Sequence, residues 1–229
     1  MPKLFVTSYN PLSASAPVRR ECILRELGRS HITCLQTTCV RQYGEQCVET
    51  LYPKHLWYDW GAAPGKHIVS IGVSIVLSKR NIQPKNVARV YVAPVEYQGR
   101  FGALRLRRAD LDMCIICAYM YTEPQKQVQQ LNNLRPWSYI GAFVEKLPHR
   151  CVPVVCLDAN AHVGLVRTPG GEWQSEESES IGRYFAEPQN FSGGLFRTFL
   201  ESQHMAAANL IRSGSYVLWP SPRKEKDPS

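Results

Sequence analysis

A chain of 229 residues is long enough for one substantial domain, and a content of 44% hydrophobic and 20% charged residues excludes a disordered composition. The net charge of +8 favours a polyanionic partner, of which nucleic acid is the commonest. No apolar run is long enough to cross a membrane, and the first residues show no basic and apolar leader. We therefore expect residues 1–229 to form a single intracellular domain, cytoplasmic or nuclear, with no membrane partner.

The first part of the chain predicts a crossover unit. Residues 4–10 form a strand-like run, residues 18–29 form a helix, and residues 31–38 form a short buried strand. A strand, a helix and a strand in this order predict parallel pairing. Residues 40–66 lack clear periodicity, and we expect them to form a long surface excursion. The helix is predicted from apolar residues at helical spacing: Val18, Cys22, Ile23 and Leu27.

The middle of the chain predicts a meander followed by a long helix. Strand-like runs occupy residues 70–79, 86–94, 99–108 and 111–122, and a short polar turn separates the last two. Pro124 opens a helix to residue 147, with Pro136 as a kink or break. The expected buried stripe of this helix consists of Val128, Leu131, Leu134, Trp137, Ile140 and Val144.

The last part of the chain predicts a further strand at residues 152–158, a loop at residues 164–192 and a helix at residues 194–204. Two strands are predicted after this helix, at residues 205–211 and 215–219. Helices that alternate with strands predict an α/β fold, in which two mixed sheets pack face to face between helices in a four-layered α-β-β-α sandwich.

The eight cysteines are typical of reduced thiols inside apolar runs. Cys114 and Cys117 form a C-x-x-C spacing, but three residues along a strand place two side chains on opposite faces. No second pair at zinc-ribbon spacing follows. We expect the cysteines to be core residues rather than metal ligands.

Residues 152–164 read VPVVCLDANAHVG and carry the strongest functional signal. A β-branched run delivers Asp158 and Asn160 to the end of a strand, and residues two apart share one face. A carboxylate beside a carboxamide is suited to binding Mg²⁺ or to orienting a water against a phosphate. The local alternative is an Asx turn that only ends the strand.

Two basic residues are candidates for contacts with substrate. Arg105 and Arg107 share one face of their strand and would line a phosphate groove. The alternative is a solvated surface, which is the commoner role of such residues.

The order of several motifs resembles the endonuclease/exonuclease/phosphatase superfamily, and most closely its non-LTR retrotransposon-type endonuclease domains. Residues 8–10 read SYN, like the S-W-N of the family, and residues 31–38 read HITCLQTT, like D-I-x-x-L-Q-E-T. Residues 157–164 read LDANAHVG, similar to G-D-F-N-A-H-x-G. Three further runs match in order: GVSIVLSK, ICAYMYTEP and GGLFRTFLESQHMAAANL.

The resemblance implies specific roles. Asn10 would lie beside a metal and hold a phosphate or a ligand water, and Tyr119 would give its hydroxyl to the scissile phosphate. Asp158 would orient or deprotonate the attacking water, while Asn160 would fix Asp158 and a phosphate oxygen. The implied cofactor is Mg²⁺, with Mn²⁺ as an alternative, and its ligands would include Asn10 and Asp158. Without the resemblance, Tyr119 is equally a core tyrosine and Asn10 equally part of an Asn-Pro turn.

The sequence also departs from the family. Thr37 stands where relatives carry the glutamate that is their principal metal ligand, and a hydroxyl cannot replace the charge of a carboxylate. The family's later I-D-Y-I-L strand and its catalytic Asp-His do not appear before Ser229, so we expect the fold to lack its last strands.

These features predict a domain whose ancestral chemistry is Mg²⁺-dependent phosphodiester hydrolysis of nucleic acid, DNA rather than RNA, and whose own activity is degenerate or weak. One alternative is a non-catalytic remnant that binds nucleic acid, and another is a phosphatase of the same superfamily. The oligomeric state is not predicted.

Overall fold

A computed structural model of the chain describes residues 4–40, 45–47, 52–61, 71–122, 124, 127–175, 178–182, 184 and 186–208. The chain divides into two compact units, Met1–Asn160 and Ala161–Ser229. The expectation that residues 1–229 form a single domain stays a prediction. None of the described helices is long and apolar enough to cross a membrane.

Five strands of the first unit form one mixed sheet: β1 (Val6–Tyr9), β2 (Ile32–Gln36), β3 (Glu45–Cys47), β4 (His55–Trp60) and β5 (Val73–Ser78). Their order in this five-stranded sheet is β1-β2-β5-β4-β3. β1 and β2 are parallel, and the other neighbours are antiparallel. Helix α1 (Pro17–Glu26) connects β1 to β2, which confirms the predicted crossover.

Four later strands form a second mixed sheet: β6 (Val87–Val92), β7 (Phe101–Arg108), β8 (Leu111–Tyr119) and β9 (Val152–Asp158). They pair in chain order in this four-stranded sheet. β6, β7 and β8 form the predicted antiparallel meander, whereas β8 and β9 are parallel. Helix α2 (Gln127–Glu145) makes the crossover between β8 and β9.

The core of the first unit lies between the two sheets. Side chains from both sheets form one buried cluster there, including Leu56, Ile75, Leu104 and Ile115. On the outer face of the five-stranded sheet, Ile23 of α1 packs with a second cluster. On the outer face of the four-stranded sheet, the rings of Tyr91, Phe101, Tyr139 and Phe143 pack edge to face. The first unit therefore has the predicted order of layers, α-β-β-α.

The prediction of a surface excursion at residues 40–66 was wrong. β3 and β4 lie in this segment, and five of the six residues of β4 are buried. Tyr58 and Trp60 enter the core between the sheets, whereas Trp57 packs on the side of α1. Because β4 is covered on both faces, its sequence lacks the alternation that marks a half-buried strand.

The two long helices also differ from expectation. In α1, Ile23 is buried but Val18 is 72% exposed, so the stripe is narrower than predicted. Helix α2 runs through Pro136 without a break. Leu131 and Leu134 are exposed, so their placement in the buried stripe was wrong, and the side chain of Val128 lies outside the described residues. Trp137 and Ile140 are buried, as predicted, and Val144 is half-buried. Asn133 and Pro136 are also buried.

The second unit contains three short strands, β10 (Gly164–Arg167), β11 (Trp173–Ser175) and β12 (Glu187–Pro188), and helix α3 (Phe191–Ser202). The prediction of a loop at residues 164–192 was therefore wrong, because strands of two to four residues are too short to show a periodic pattern. The Asn190 side chain accepts a 2.7 Å hydrogen bond from Gly193 N and caps α3, so the helix begins earlier than predicted. Residues 205–208 are not in a strand, and residues 215–219 lie outside the described residues.

Seven cysteines in the described part of the chain are free thiols. Cys117 lies in the core between the sheets, whereas burial raises the pKa of Cys114 on the other face of β8 to about 12. The C-x-x-C pair therefore faces both sides of its strand, as its odd spacing predicts.

Candidate functional site

Two parallel strand pairs end at the same region of the first unit. Asn10 follows β1, while Tyr119 and Asp158 are the last residues of β8 and β9. Tyr119 is the register partner of Asp158, so their side chains share a face. That face points between the sheets, because Cys117 and Cys156, two residues earlier, belong to the core.

Asp158 is the centre of this arrangement. Its Oδ2 accepts a 2.7 Å hydrogen bond from Nδ2 of Asn10, although 148 residues separate the two in sequence. Its Oδ1 accepts a 3.2 Å hydrogen bond from the backbone N–H of Asn160. We call Asn10, Tyr119, Asp158 and Asn160 the Asp158 cluster. The structure brings together all four residues that the sequence nominates at the strand ends.

Asn160 combines a local turn with a contact between strands. It has a left-handed backbone, with φ of 47°, a conformation that asparagine tolerates better than most residues. Its Nδ2 donates a 3.0 Å hydrogen bond to Met120 O, and Met120 N donates to Asp158 O at 2.9 Å. The Asx turn is therefore part of the candidate site, because it orients Asp158 and joins the ends of β8 and β9.

Asn10 is also held by a local turn. Its Oδ1 accepts a 3.0 Å hydrogen bond from the backbone N–H of Leu12, whose φ is 60°. This bond orients the amide so that its Nδ2 points at Asp158. The oxygen that would ligate a metal is thus engaged with the backbone.

Arg100 supports the end of β8, and the sequence analysis missed it. Its Nη1 donates to the carbonyl oxygens of Tyr119 and Met120 at 3.2 and 3.3 Å. The guanidinium carbon lies 5.3 Å from the ring centre of Tyr119 and 3.9 Å from that of Tyr121. Burial lowers the pKa of Arg100. A single arginine before an apolar strand has no distinctive pattern that would reveal this role.

Gln36 lies beneath the cluster and is also a residue that the sequence analysis did not single out. It is 1% exposed, and its Nε2 donates to Ser8 Oγ at 3.0 Å and to Cys156 O at 3.4 Å. These bonds tie β1, β2 and β9 together just below the strand ends. Gln36 therefore has a positioning role.

Thr37, which follows Gln36, occupies a strained position. It is 6% exposed and has φ of 56°, a genuine outlier for a β-branched residue. Its Oγ1 is buried and has no hydrogen-bond partner among the described residues. The position where the resemblance implies a metal-binding glutamate thus carries a neutral, unsatisfied hydroxyl.

The described residues do not fit a Mg²⁺ site of the implied kind. Asp158 supplies the cluster's one carboxylate, and both of its oxygens already accept hydrogen bonds from the protein. Mg²⁺ is usually held through one or two carboxylates; here Asn10 turns its NH2 group rather than its oxygen towards the single carboxylate, and Thr37 adds no charge. Within the described ranges, no group of three or more His, Cys, Asp or Glu side chains is arranged to hold a metal ion.

Arg105 and Arg107 are not brought to the Asp158 cluster. Arg105 is the register partner of Cys114, which lies five residue steps from Tyr119 along β8, a distance of about 17 Å. Their side chains also point away from the core, because Leu104 and Leu106 fill the inner face. Contact of Arg105 and Arg107 with substrate stays a prediction. Their position on the outer face does not support a phosphate groove that also contains Asp158.

The chain is similar to known proteins in its structure, but its sequence matches none of the family models or curated proteins. Among solved structures, the AP endonuclease from Archaeoglobus fulgidus matches at 14% identity and a TM-score of 0.54, over 88% of this chain and 70% of that chain. The AP endonuclease LMAP from Leishmania major matches at 11% identity and a TM-score of 0.51, over 86% of this chain. The chain therefore shares the fold of these AP endonucleases.

The endonuclease domain of TRAS1, a telomere-specific non-LTR retrotransposon, is also similar, at 12% identity and a TM-score of 0.49 over 91% of this chain and 77% of that domain. The chain spans 65% of the length of the Leishmania protein. At these identities the likeness concerns the fold, and the function is argued from the residues of this chain.

Proposed function

We propose that this chain binds nucleic acid, DNA rather than RNA, and that its metal-dependent phosphodiester hydrolysis is degenerate and weak. Two lines of support bear on the substrate class. The matched structures of higher TM-score are both named AP endonucleases, and this chain carries a net charge of +8. The observation that carries the loss of activity is Thr37, a buried neutral residue at the position of the implied metal ligand.

In this proposal, the Asp158 cluster keeps the part of the chemistry that needs no metal. Asp158 accepts a hydrogen bond from a water and orients it towards the phosphorus of a bound phosphodiester. Asn10 and the backbone of Asn160 hold the carboxylate in place for this task. The phenol of Tyr119, on the same face, donates to a phosphate oxygen.

The missing part is charge compensation. Hydrolysis concentrates negative charge on the phosphate oxygens, and a metal ion ordinarily neutralises it. Losing one such preorganised electrostatic group typically costs on the order of 10²-fold in rate. A domain that binds the polymer and hydrolyses it slowly is the expected result.

A plasmid-nicking assay with Mg²⁺ tests the role of Thr37. We expect slow nicking by the unmodified chain and a gain of at least about 10-fold in Thr37→Glu, because the new carboxylate restores a ligand charge. Thr37→Gln is the matched control, because it has nearly the same shape as glutamate without the charge. Titration with Mn²⁺ followed by electron paramagnetic resonance measures metal binding in the same variants.

Two results would contradict the proposal. Rapid nicking by the unmodified chain that Asp158→Asn abolishes would show that the activity is intact without a carboxylate at position 37. Equal nicking and equal Mn²⁺ binding by Thr37→Glu and Thr37→Gln would show that the charge at this position is not what the site lacks.

A further inference from the structure

Four arginines and one aspartate lie together on the outer face of the four-stranded sheet. Arg89 on β6 is the register partner of Arg105 on β7, and Arg107 on β7 is the partner of Asp112 on β8. Arg150, in the turn that leads to β9, donates to Asp112 Oδ2 at 3.0 Å. We call these four arginines the arginine patch. It lies at the hairpin end of β7 and β8.

The charge of the arginine patch is largely uncompensated. Arg105 binds Asp112 through two parallel hydrogen bonds of 2.8 and 2.7 Å, and Arg150 shares the same carboxylate. Arg107 is exposed and forms no ion pair with any described residue, while Arg89 is exposed above the ring of Tyr91. Two of the four guanidinium groups, those of Arg105 and Arg150, share the one carboxylate of Asp112, so the patch carries three positive charges in excess.

Asp112 organises the patch rather than neutralising it. The two hydrogen bonds from Arg105 hold the pKa of Asp112 well below its usual range, so the carboxylate stays charged. Its side chain is 12% exposed, whereas that of Arg150 is 61% exposed. The carboxylate therefore fixes the guanidinium groups of Arg105 and Arg150, and most of the Arg150 side chain stays exposed to solvent.

The arginine patch is separate from the Asp158 cluster. Tyr119 lies seven residue steps along β8 from Asp112, a distance of about 24 Å. The two groups also lie on opposite faces of the sheet, because Asp158 shares the inner face with Tyr119 and Arg105 shares the outer face with Cys114. A small ligand held at the cluster cannot reach the patch.

We propose that the arginine patch is a second nucleic-acid contact surface, which binds the phosphate backbone independently of the Asp158 cluster. Neighbouring positions on paired strands lie about 5–7 Å apart, so the patch fits a partner that carries several anions in a short length. Arginine matches phosphate through a planar fork of donors. The phosphodiester backbone of a nucleic acid meets both requirements, and the exposed Arg89 above Tyr91 adds a surface for base stacking.

Fluorescence anisotropy with a labelled single-stranded 20-mer, at salt concentrations from 0.05 to 0.3 M, tests this proposal. The variant is Arg107→Ala with Arg150→Ala. Each phosphate contact to single strands contributes about 0.7 to the slope of log K against log salt, so two lost contacts should lower the slope by about 1.4 and the affinity about 25-fold at 0.1 M salt. The conservative pair Arg107→Lys and Arg150→Lys should keep the slope.

The matched control is Arg25→Ala with Arg29→Ala. It removes the same charge from exposed positions at α1, on the opposite side of the two sheets. Equal losses in the two double variants would overturn the proposal, because net charge alone would then explain binding. An unchanged slope in the patch variant, no binding by the unmodified chain, or patch-dependent binding to anionic lipid vesicles without oligonucleotide binding would also overturn it.

Thermal unfolding checks the fold of each variant, and Arg107→Ala alone keeps the test informative because Arg107 has no ion pair to lose among the described residues. The outcome is independent of the nicking assay. If Thr37→Glu shows no gain in nicking activity, while the salt slope of oligonucleotide binding is lower in the patch variant, the proposed contact surface is supported and the catalytic proposal fails. If Thr37→Glu gains activity and the patch variant keeps the salt slope of the unmodified chain, the catalytic proposal stands and the proposed contact surface fails.

Discussion

Thr37 offers the sharpest test of the site, because its replacement by glycine should stabilise the protein. Most substitutions of buried residues destabilise. Thr37 combines two costs, a left-handed backbone at a β-branched residue and a buried hydroxyl without a partner among the described residues. Glycine at position 37 removes both.

The expected size follows from these two costs. Relief of the left-handed backbone is worth about 1–2 kcal/mol, and removal of the unsatisfied hydroxyl about 1–3 kcal/mol. Loss of the buried methyl costs about 0.8 kcal/mol, and the greater freedom of glycine in the unfolded chain costs about 0.5–1 kcal/mol. The free energy of unfolding of Thr37→Gly should therefore rise by about 2 kcal/mol.

Thr38→Gly is the matched control. Thr38 is fully buried and also has an unpartnered Oγ1 among the described residues, but its φ is not positive. Urea unfolding should show Thr37→Gly to be the more stable variant by about 1–2 kcal/mol, or about 3–6 °C in Tm. If Thr37→Gly is no more stable than Thr38→Gly, the backbone at position 37 is not strained and the reasoning fails.

Two further predictions concern the first unit. Asp59 is fully buried, accepts hydrogen bonds from Trp57 and Ser74, and lies 3.0 Å from Arg20, so Arg20→Met should cost about 3–5 kcal/mol in urea unfolding. Adding Asp59→Asn should recover part of that loss, and no recovery would refute the ion pair. Burial lowers the pKa of His55, so the unfolded chain binds more protons and stability should decline as the pH falls below about 6.5. Urea unfolding between pH 7.5 and 5.5 should show a weaker decline in His55→Gln, and equal slopes would contradict the assignment.

The part of the candidate site that lies close together in sequence was predictable from the sequence. Asp158 and Asn160 lie two residues apart at the end of a β-branched run, and this spacing alone places them on one face. Asn10 and Tyr119 were nominated through the resemblance, since 148 residues separate Asn10 from Asp158. Arg100 and Gln36 act by contacting backbone atoms of distant strands, and such contacts leave no local pattern.

The sequence by itself determined whether most elements are strands or helices. Apolar residues recur every two positions in a half-buried strand and every three or four in a half-buried helix, and this spacing depends only on which face of the element is apolar. The sequence therefore placed Cys114 and Cys117 on opposite faces and located the two crossover helices. The tertiary structure alone decided what covers each face. β4 is buried on both sides, and the exposed Leu131 of α2 shows that an apolar residue is buried only where a partner surface meets it. The same reason separates Arg107 from Asp158, since the packing of the two sheets sets which face of a strand points inward.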